Sequence, residues 1–440
     1  MKIILWGINY APEATGIGPF NQELCEYLAG RGHEVSAVTT FPYYPQWRKS
    51  SGDRGRWHRT DRVGGVSVHR GWCYVPAVVT TGRRIAHELS FGLGSLLRVL
   101  LLPRADVYVV VSPPLALGFF AWIATTLKRS RFVFHVQDLQ PDAAVELGMV
   151  RPGRFTRALY ALERLAYTKA AVVSGISAGM LAAFQKKGVP AAKQVRLSNW
   201  LRTGAALPPE LQTRAAARQR WGVPPDALLA IYAGNLGRKQ SLEIMLEAAR
   251  LLAQRDPGTA KPVRLIIAGD GAIRPVLENF LRTHLLPDVR LLPLLSDEDY
   301  ALLLRAADVA LITQAAGTGQ FFFPSKLLSV LAVGLPVIAV ADADSELARA
   351  VDEGNFGRTV PPGDAAGLAA VMDELARDRA PLAAWATGTH WVRQFSRESI
   401  LPRFEEILLA VAGQRADAQP PRVREVTLLV GGTGWTPGQG

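Results

Sequence analysis

The sequence predicts an α/β protein of two Rossmann-like, doubly wound domains that face a cleft. Three observations lead there. The 440 residues exceed one ordinary domain, and with 49% hydrophobic residues they can fill two cores. Each half opens in the same way, with an apolar strand, a glycine-bearing loop and a helix. Beyond each opening, short β-branched runs alternate with helical stretches, the pattern of a sheet covered on both faces. The boundaries are set at 1–203 for an N-terminal domain and 204–390 for a C-terminal domain. A helix over 391–412 is expected to cross back to the first domain. Residues 413–440, rich in Pro, Gly, Arg and Gln, read as a disordered tail.

The first unit starts with the strand Lys2–Gly7. The loop INYAPEATGIG over 8–18 follows, then a helix over Pro19–Gly30 and a strand over His33–Thr40. Gly16 and Gly18 allow close backbone approach before a helix N-terminus, an arrangement that holds phosphate or sugar. The spacing is not the dinucleotide G-x-G-x-x-G, because Pro19, Phe20 and Asn21 follow Gly18. Residues 41–62 read as a long aromatic and basic loop with Trp47, Trp57, His58 and six Lys or Arg, a candidate acceptor or membrane contact. Val66–Arg70 is the strand after it.

From Arg83-Arg84 an apolar helical run reaches Leu102. Val107–Leu127 is 21 residues without a charge, long enough to span a bilayer. Ser112-Pro113-Pro114 interrupts it, so it is assigned as a buried strand, a turn and a buried helix. Arg131–Val136 is a strand that runs into Gln137-Asp138. Ligands of open α/β sheets bind beyond the carboxyl ends of strands, which makes His135 and Asp138 the catalytic candidates of this half. The alternative is a core histidine and a helix-capping Asp.

The second series runs from Leu229–Ala233 through Gly234-Asn235-Leu236-Gly237-Arg238-Lys239 to the helix Ser241–Gln254. Val263–Ala268 then leads into Gly269-Asp270-Gly271. Further on, GTGQFFFPSKLLSVLAVGLPVIA over 317–339 reads as loop, helix and strand. Pro324, Ser325 and Lys326 start the helix, and Leu327, Leu328, Leu331 and Ala332 form its apolar face. A helix start carrying Ser325, Lys326 and free N–H groups is a ready anion site.

Charge separates the halves. Residues 1–200 hold 25 Lys or Arg against 12 Asp or Glu, a net of +13; residues 201–440 hold 25 against 26. An anionic membrane surface is therefore a candidate partner of the first half. Nucleic acid is not expected, because no basic stretch interleaves stacking aromatics in a recognised motif. Cys25 and Cys73 are the only cysteines, which excludes a disulfide framework or a thiolate metal cluster and suits a reducing compartment. No signal peptide is expected, because Met1–Leu5 reads as a short strand and not as a charged segment followed by an apolar one.

Taken in order, NYAPEATGIG (9–18), FPYYPQW (41–47), VSPP (111–114), HVQDLQPD (135–142), SNW (198–200), YAGNLGRKQ (232–240), AGDG (268–271) and PSKLLSVLAVGLPVIA (324–339) resemble the GT-B glycosyltransferases of family 4. The likeness covers about residues 1–410 and is closest to the bacterial exopolysaccharide branch, the colanic-acid fucosyltransferase-like proteins. It implies a retaining transfer from a nucleotide-sugar donor to a polyprenyl-diphosphate-linked saccharide, at the cytoplasmic face of the membrane and without cofactor or metal. It implies donor contacts by Gly16, Gly18, Asn235, Arg238, Lys239, Gly271, Ser325, Lys326 and Ser329. For the strand-end acid/base or sugar contact it points to Asp138 or His135, with Asp138 favoured. One departure stands out: where many members carry a Glu-x7-Glu pair, this chain has Phe321 and Ser329. That loss motivates the alternative of a weakened scaffold protein. A sugar-nucleotide epimerase of the same fold is a separate alternative, and such an enzyme acts on the donor alone without need of a basic, apolar first half.

Overall fold

The computed structural model describes residues 1–13, 16–146, 153–202, 207, 211–256, 261–319 and 326–413. Ser325, Phe321 and the expected tail therefore lie outside the described residues. Two sheets organise the chain. The first holds β1 (Lys2–Trp6), β2 (Glu34–Thr40), β3 (His58–Val63), β4 (Val66–Gly71), β5 (Val107–Ser112), β6 (Arg131–Val136), β7 (Val172–Gly175) and β8 (Gln194–Arg196), in the order β3-β4-β2-β1-β5-β6-β7-β8. The second holds β9 (Leu228–Ala233), β10 (Val263–Ala268), β11 (Val289–Leu292), β12 (Val309–Thr313), β13 (Val337–Val340) and β14 (Gly357–Val360), in the order β11-β10-β9-β12-β13-β14. Both sheets are parallel except for the β3–β4 pair.

The central strands are apolar throughout because helices cover both faces. VYVVVS in β5 is buried at every residue. In the first half the helices are α1 (Gly18–Gly30), α2 (Thr81–Leu101), α3 (Leu117–Leu127), α4 (Gln140–Glu146), α5 (Arg154–Lys169) and α6 (Ala178–Lys186). The uncharged 107–127 run is thus β5, a turn and α3. Among the described residues, no helix is long and apolar enough to cross a membrane.

Two readings of the loop at 41–62 change. His58–Val63 is not loop but the antiparallel edge strand β3, closed onto β4 through Gly64-Gly65. Its residues HRTDRV do not alternate in polarity, because an edge strand with both faces wetted has no buried row to mark it. The segment before it is pinned by the Glu13 carboxylate, which accepts from the Tyr43 and Tyr44 N–H groups at 3.0 Å each.

The chain crosses between the sheets twice, side by side. At the outward crossing Leu201 N–H donates to Phe395 C=O of the returning segment at 2.7 Å. The terminal helix Arg397–Gly413 then lies on the first sheet. Ile400, Leu401, Phe404, Ile407, Leu408 and Val411 are buried there with Leu24, Leu28, Val109 and Val133. Glu405 fastens it to α1, accepting from Arg31, His33 and Tyr27. Glu23 of α1 holds the outward crossing through Trp200 Nε1 at 2.7 Å and Arg202 Nε at 2.9 Å.

Candidate active site

In parallel sheets every strand ends on the same edge, so the loops after β1, β6, β9, β10 and β12 gather at two edges. One ion pair shows that these edges face each other. Asp138, just past β6, lies 3.6 Å from the Lys239 ammonium in the loop after β9, and both side chains keep about a third of their surface. The glycine loops, Asp138 and Lys239 therefore come together in one cleft.

On the second-domain side the loop of residues 234–239 packs backbone against backbone on residues 269–271. Leu236 N–H donates to Asp270 C=O at 2.9 Å and Gly234 N–H to Ala268 C=O at 2.9 Å. Gly269 and Gly271 hold φ of +148° and +154°, and a side chain at either would run into the Gly234 or Leu236 carbonyl. Gly271 thus shapes the loop, and its N–H is taken by the Asp270 carboxylate at 2.8 Å. Asn235 anchors the turn through its carbonyl, which accepts from Tyr232 Oη at 2.8 Å. Arg238 and Lys239 lie in a single 3-10 turn, Arg238 exposed to the cleft solvent.

Lys326, first residue of the described Lys326–Ala332 helix, reaches under this loop. Its ammonium is sealed from solvent, sits 3.7 Å over the Tyr232 ring and has no hydrogen-bond partner among the described residues. It lies 3.1 Å from where a Cβ on Gly234 would be. Burial, aided by the Lys239 charge, pushes its pKa down to about 7. Three N–H donors without acceptors in a dry site are unfavourable by themselves and suit an anion.

On the first-domain side, Gly16 holds φ +73° with the Tyr44 ring against it, and Gly18 opens α1, whose first turn has no side-chain cap among the described residues. Glu13 ties this loop to residues 43–44 and also accepts from Asn9 Nδ2 at 2.8 Å; burial raises its pKa. Trp47, at φ +51°, packs edge-on with Tyr43 and His87. The sequence reading assigned no role to Glu13, Tyr44 or Tyr232. An acid inside a glycine loop was the available signal for Glu13; a strand residue such as Tyr232 has none.

Two candidates change. His135 does not face the cleft. It is buried in the first domain, with Nδ1 2.9 Å from Ser174 Oγ, Nε2 2.8 Å from Gln137 Nε2, and its ring edge-on to Phe404. Burial lowers its pKa to about 4, so it is a neutral core histidine. Gln137 in turn exchanges hydrogen bonds with Asn199 at 3.0 and 2.9 Å. Ser329, half-buried, is already engaged: its hydroxyl donates to Lys326 C=O at 2.9 Å and meets Tyr300 Oη at 2.7 Å. Nor do the described residues bring together three His, Cys, Asp or Glu side chains placed to hold a metal ion.

Comparison with known proteins matches this architecture. Residues 15–200 fit the model of the glycosyl transferase 4-like domain, and residues 227–378 that of the glycosyl transferases group 1. The chain is 33% identical over 354 residues to "Putative colanic acid biosynthesis glycosyl transferase WcaI" of Escherichia coli, covering 79% of this chain and 85% of that one. It is 28% identical over 282 residues to "Probable glycosyltransferase WbjE" of Pseudomonas aeruginosa, 62% of this chain and 66% of that one. Among solved structures, sucrose-phosphate synthase of Thermosynechococcus elongatus superposes with a TM-score of 0.70 at 18% identity, covering 92% and 97% of the two chains. Anabaena HepE in complex with UDP-glucose gives 0.65 at 18%, covering 93% and 99%. Both likenesses are of fold. Two matched family domains in order and a relative aligned along most of both chains establish that this chain belongs to the glycosyl transferase 4-like/group 1 family and is a glycosyltransferase of the GT-B fold.

Proposed function

We propose that this glycosyltransferase moves a sugar, with retention at the anomeric carbon, from a nucleotide-sugar donor to a polyprenyl-diphosphate-linked saccharide in exopolysaccharide biosynthesis, working peripherally at the inner face of the cell membrane. The observation that carries the reading is the Lys326 ammonium, buried without an acceptor beneath the Gly234–Lys239 loop and across the cleft from Asp138. A diphosphate would supply that acceptor. Support for the donor class comes from the HepE structures, solved with UDP and with UDP-glucose. Support for the pathway comes from the colanic acid relative.

In this reading Lys326, Arg238 and Lys239 neutralise the leaving diphosphate, so positive charge meets the charge that develops as the glycosidic bond breaks. Ser325 adds a hydroxyl to the same group. The loops around Gly16, Gly18, Asn235 and Gly271 leave room for the diphosphate and sugar. Asp138 is the carboxylate at the reacting sugar. Diphosphate would draw Lys239 away from Asp138 and free the carboxylate. The bond from the anomeric carbon to the diphosphate breaks, and one to the acceptor oxygen forms on the same face. The acceptor proton leaves with the nucleoside diphosphate. No cofactor takes part in this scheme.

The engagement of Ser329 with Tyr300 and the Lys326 carbonyl favours a second reading, a weakened scaffold protein, because it occupies a hydroxyl expected at the donor. One experiment separates the two. Purified protein is screened with nucleotide sugars by thermal shift, since a bound donor raises apparent stability. Release of nucleoside diphosphate is then followed with the best donor and a lipid-linked saccharide. Turnover lost in Lys326→Ala supports the transferase; donor binding without turnover under any acceptor supports the scaffold.

A further inference from the structure

α2 carries a second apolar row on the side turned away from the core. Phe91, Ser95 and Val99 face the core, yet Leu89, Leu93, Leu97 and Leu101, one turn apart, are 43%, 58%, 65% and 80% exposed. No charged residue lies between Glu88 and Arg98. Val78 and Val79 before the helix are exposed too, as are Trp57 and Trp72, whose rings lie 5.6 Å apart. The Trp72 carbonyl lies 3.4 Å from a Cβ placed on Gly94, so the Trp pair abuts the leucine row. A continuous apolar face of this kind on an otherwise polar surface marks an interaction site.

Its surroundings choose the partner. Residues 41–131 hold 14 Lys or Arg against 4 Asp or Glu. Three of those four acids are already paired: Asp53 with Arg59, Asp61 with Arg59 and Arg70, and Glu88 with Arg84. Arg54, Arg56, Arg62, Arg83 and Arg104 of this stretch are exposed. Two copies of this face brought together would oppose like charges, whereas anionic lipid complements them. We propose that the Leu89–Leu101 face of α2, with Trp57 and Trp72, is the surface on which this protein lies against an anionic bilayer.

The row also sets the direction of the cleft, a point that rests on the lipid-linked acceptor proposed above. Glu88 accepts from Arg84 at 3.1 Å and from Gln140 at 3.2 Å, and Gln140 is two residues past Asp138. The face therefore begins at Leu89, beside the cleft mouth, and runs away from it. Arg84 belongs to that mouth and not to the lipid contact. A lipid-linked saccharide leaving the bilayer along α2 meets Asp138 first.

The test uses the full chain with neither donor nor acceptor, so its failure leaves the transfer assay untouched and the reverse also holds. Binding is measured by flotation on vesicles of phosphatidylcholine with phosphatidylglycerol and on phosphatidylcholine alone. The variants are Leu93→Ser with Leu97→Ser, and a control, Leu285→Ser, at a 96% exposed leucine of the second domain. Wild type should bind the anionic vesicles at least about tenfold more tightly than the neutral ones. The double variant should lose at least about tenfold on anionic vesicles. The control should match wild type, and all three should unfold at the same urea concentration. Unchanged vesicle binding by the double variant overturns the proposal. So does a wild-type dimer in sedimentation that the double variant dissolves while wild type ignores vesicles, which would make the face a contact between copies.

Discussion

The end of β6 and the start of the Lys326–Ala332 helix each bury a basic side chain, and burial lowers both pKa values, to about 4 at His135 and about 7 at Lys326. They differ in satisfaction. Both ring nitrogens of His135 have partners, and the Lys326 ammonium has none. A buried group with its hydrogen bonds complete holds a fold together. One left incomplete is held in readiness for a ligand, because the surrounding structure bears the desolvation that a bound anion would offset. Asp138, three residues past His135, stands outside that core and meets Lys239 across the cleft. Within one strand end, three residues separate a satisfied core side chain from one that reaches the cleft.

The sharpest test of that change sets Asp138→Asn against its neighbour. If Asp138 works at the reacting sugar, turnover should fall by about 10²–10³-fold, the range for losing one electrostatic stabiliser of the transition state, with donor affinity and stability nearly kept. Turnover within about threefold of wild type, by nucleoside diphosphate release, would remove Asp138 from the chemistry.

The next effect should fall on stability alone. His135→Ala leaves Ser174 Oγ without its partner and a void beside Phe404, so urea unfolding should show a loss of about 2–4 kcal/mol. Donor affinity of the folded fraction should not change. An affinity loss without a stability loss would move His135 into the site and erase the contrast.

Lys326→Ala should do the reverse. Donor binding should weaken by about 1.5–3 kcal/mol, as for a charge-assisted hydrogen bond, and Arg238→Ala should act in the same direction. Stability without ligand should hold or rise, because an unsatisfied ammonium is gone. Calorimetry and urea titration on one preparation read both.

Protonation sharpens the same point. The Lys326 pKa is lowered in the fold from its ordinary 10.5 to about 7. Between those values the unfolded chain binds more protons, so ligand-free stability should rise as pH climbs through that window and fall away toward pH 7. A bound diphosphate favours the charged amine. Donor binding should therefore take up a fraction of a proton at pH 8 and weaken as pH rises, measured in buffers of different ionisation enthalpy. In Lys326→Ala that uptake should vanish.

The smallest effect is expected at Ser329→Ala. Its hydroxyl serves Tyr300 and Lys326 C=O, so donor affinity should move by less than about 0.5 kcal/mol and stability by about 1 kcal/mol. A larger loss of donor affinity would show that Ser329 leaves these partners when donor binds.

Local pattern alone determined most of the fold of this chain. The buried strands of two parallel sheets write themselves as β-branched runs, the glycine loops as punctuation, and Pro113-Pro114 as the break that makes Val107–Leu127 a strand and a helix. β3 escaped because an edge hairpin of charged residues has no apolar period. Lys326 was legible as a lysine at a helix start. That its ammonium lies dry over Tyr232 was not, since Tyr232 is 94 positions earlier and only the packing of β9 beneath the helix brings them together. His135 and Asp138 could not be told apart in sequence, because the turn from core to cleft depends on where β6 leaves the sheet and on Phe404 arriving from the far end of the chain. The leucines of α2 likewise show their abundance in sequence. Which of them face outward was decided by α3 and the sheet, which take Phe91, Ser95 and Val99 and leave Leu89, Leu93, Leu97 and Leu101 to solvent. Periodicity is a property of neighbours along the chain, whereas burial and satisfaction belong to neighbours in space.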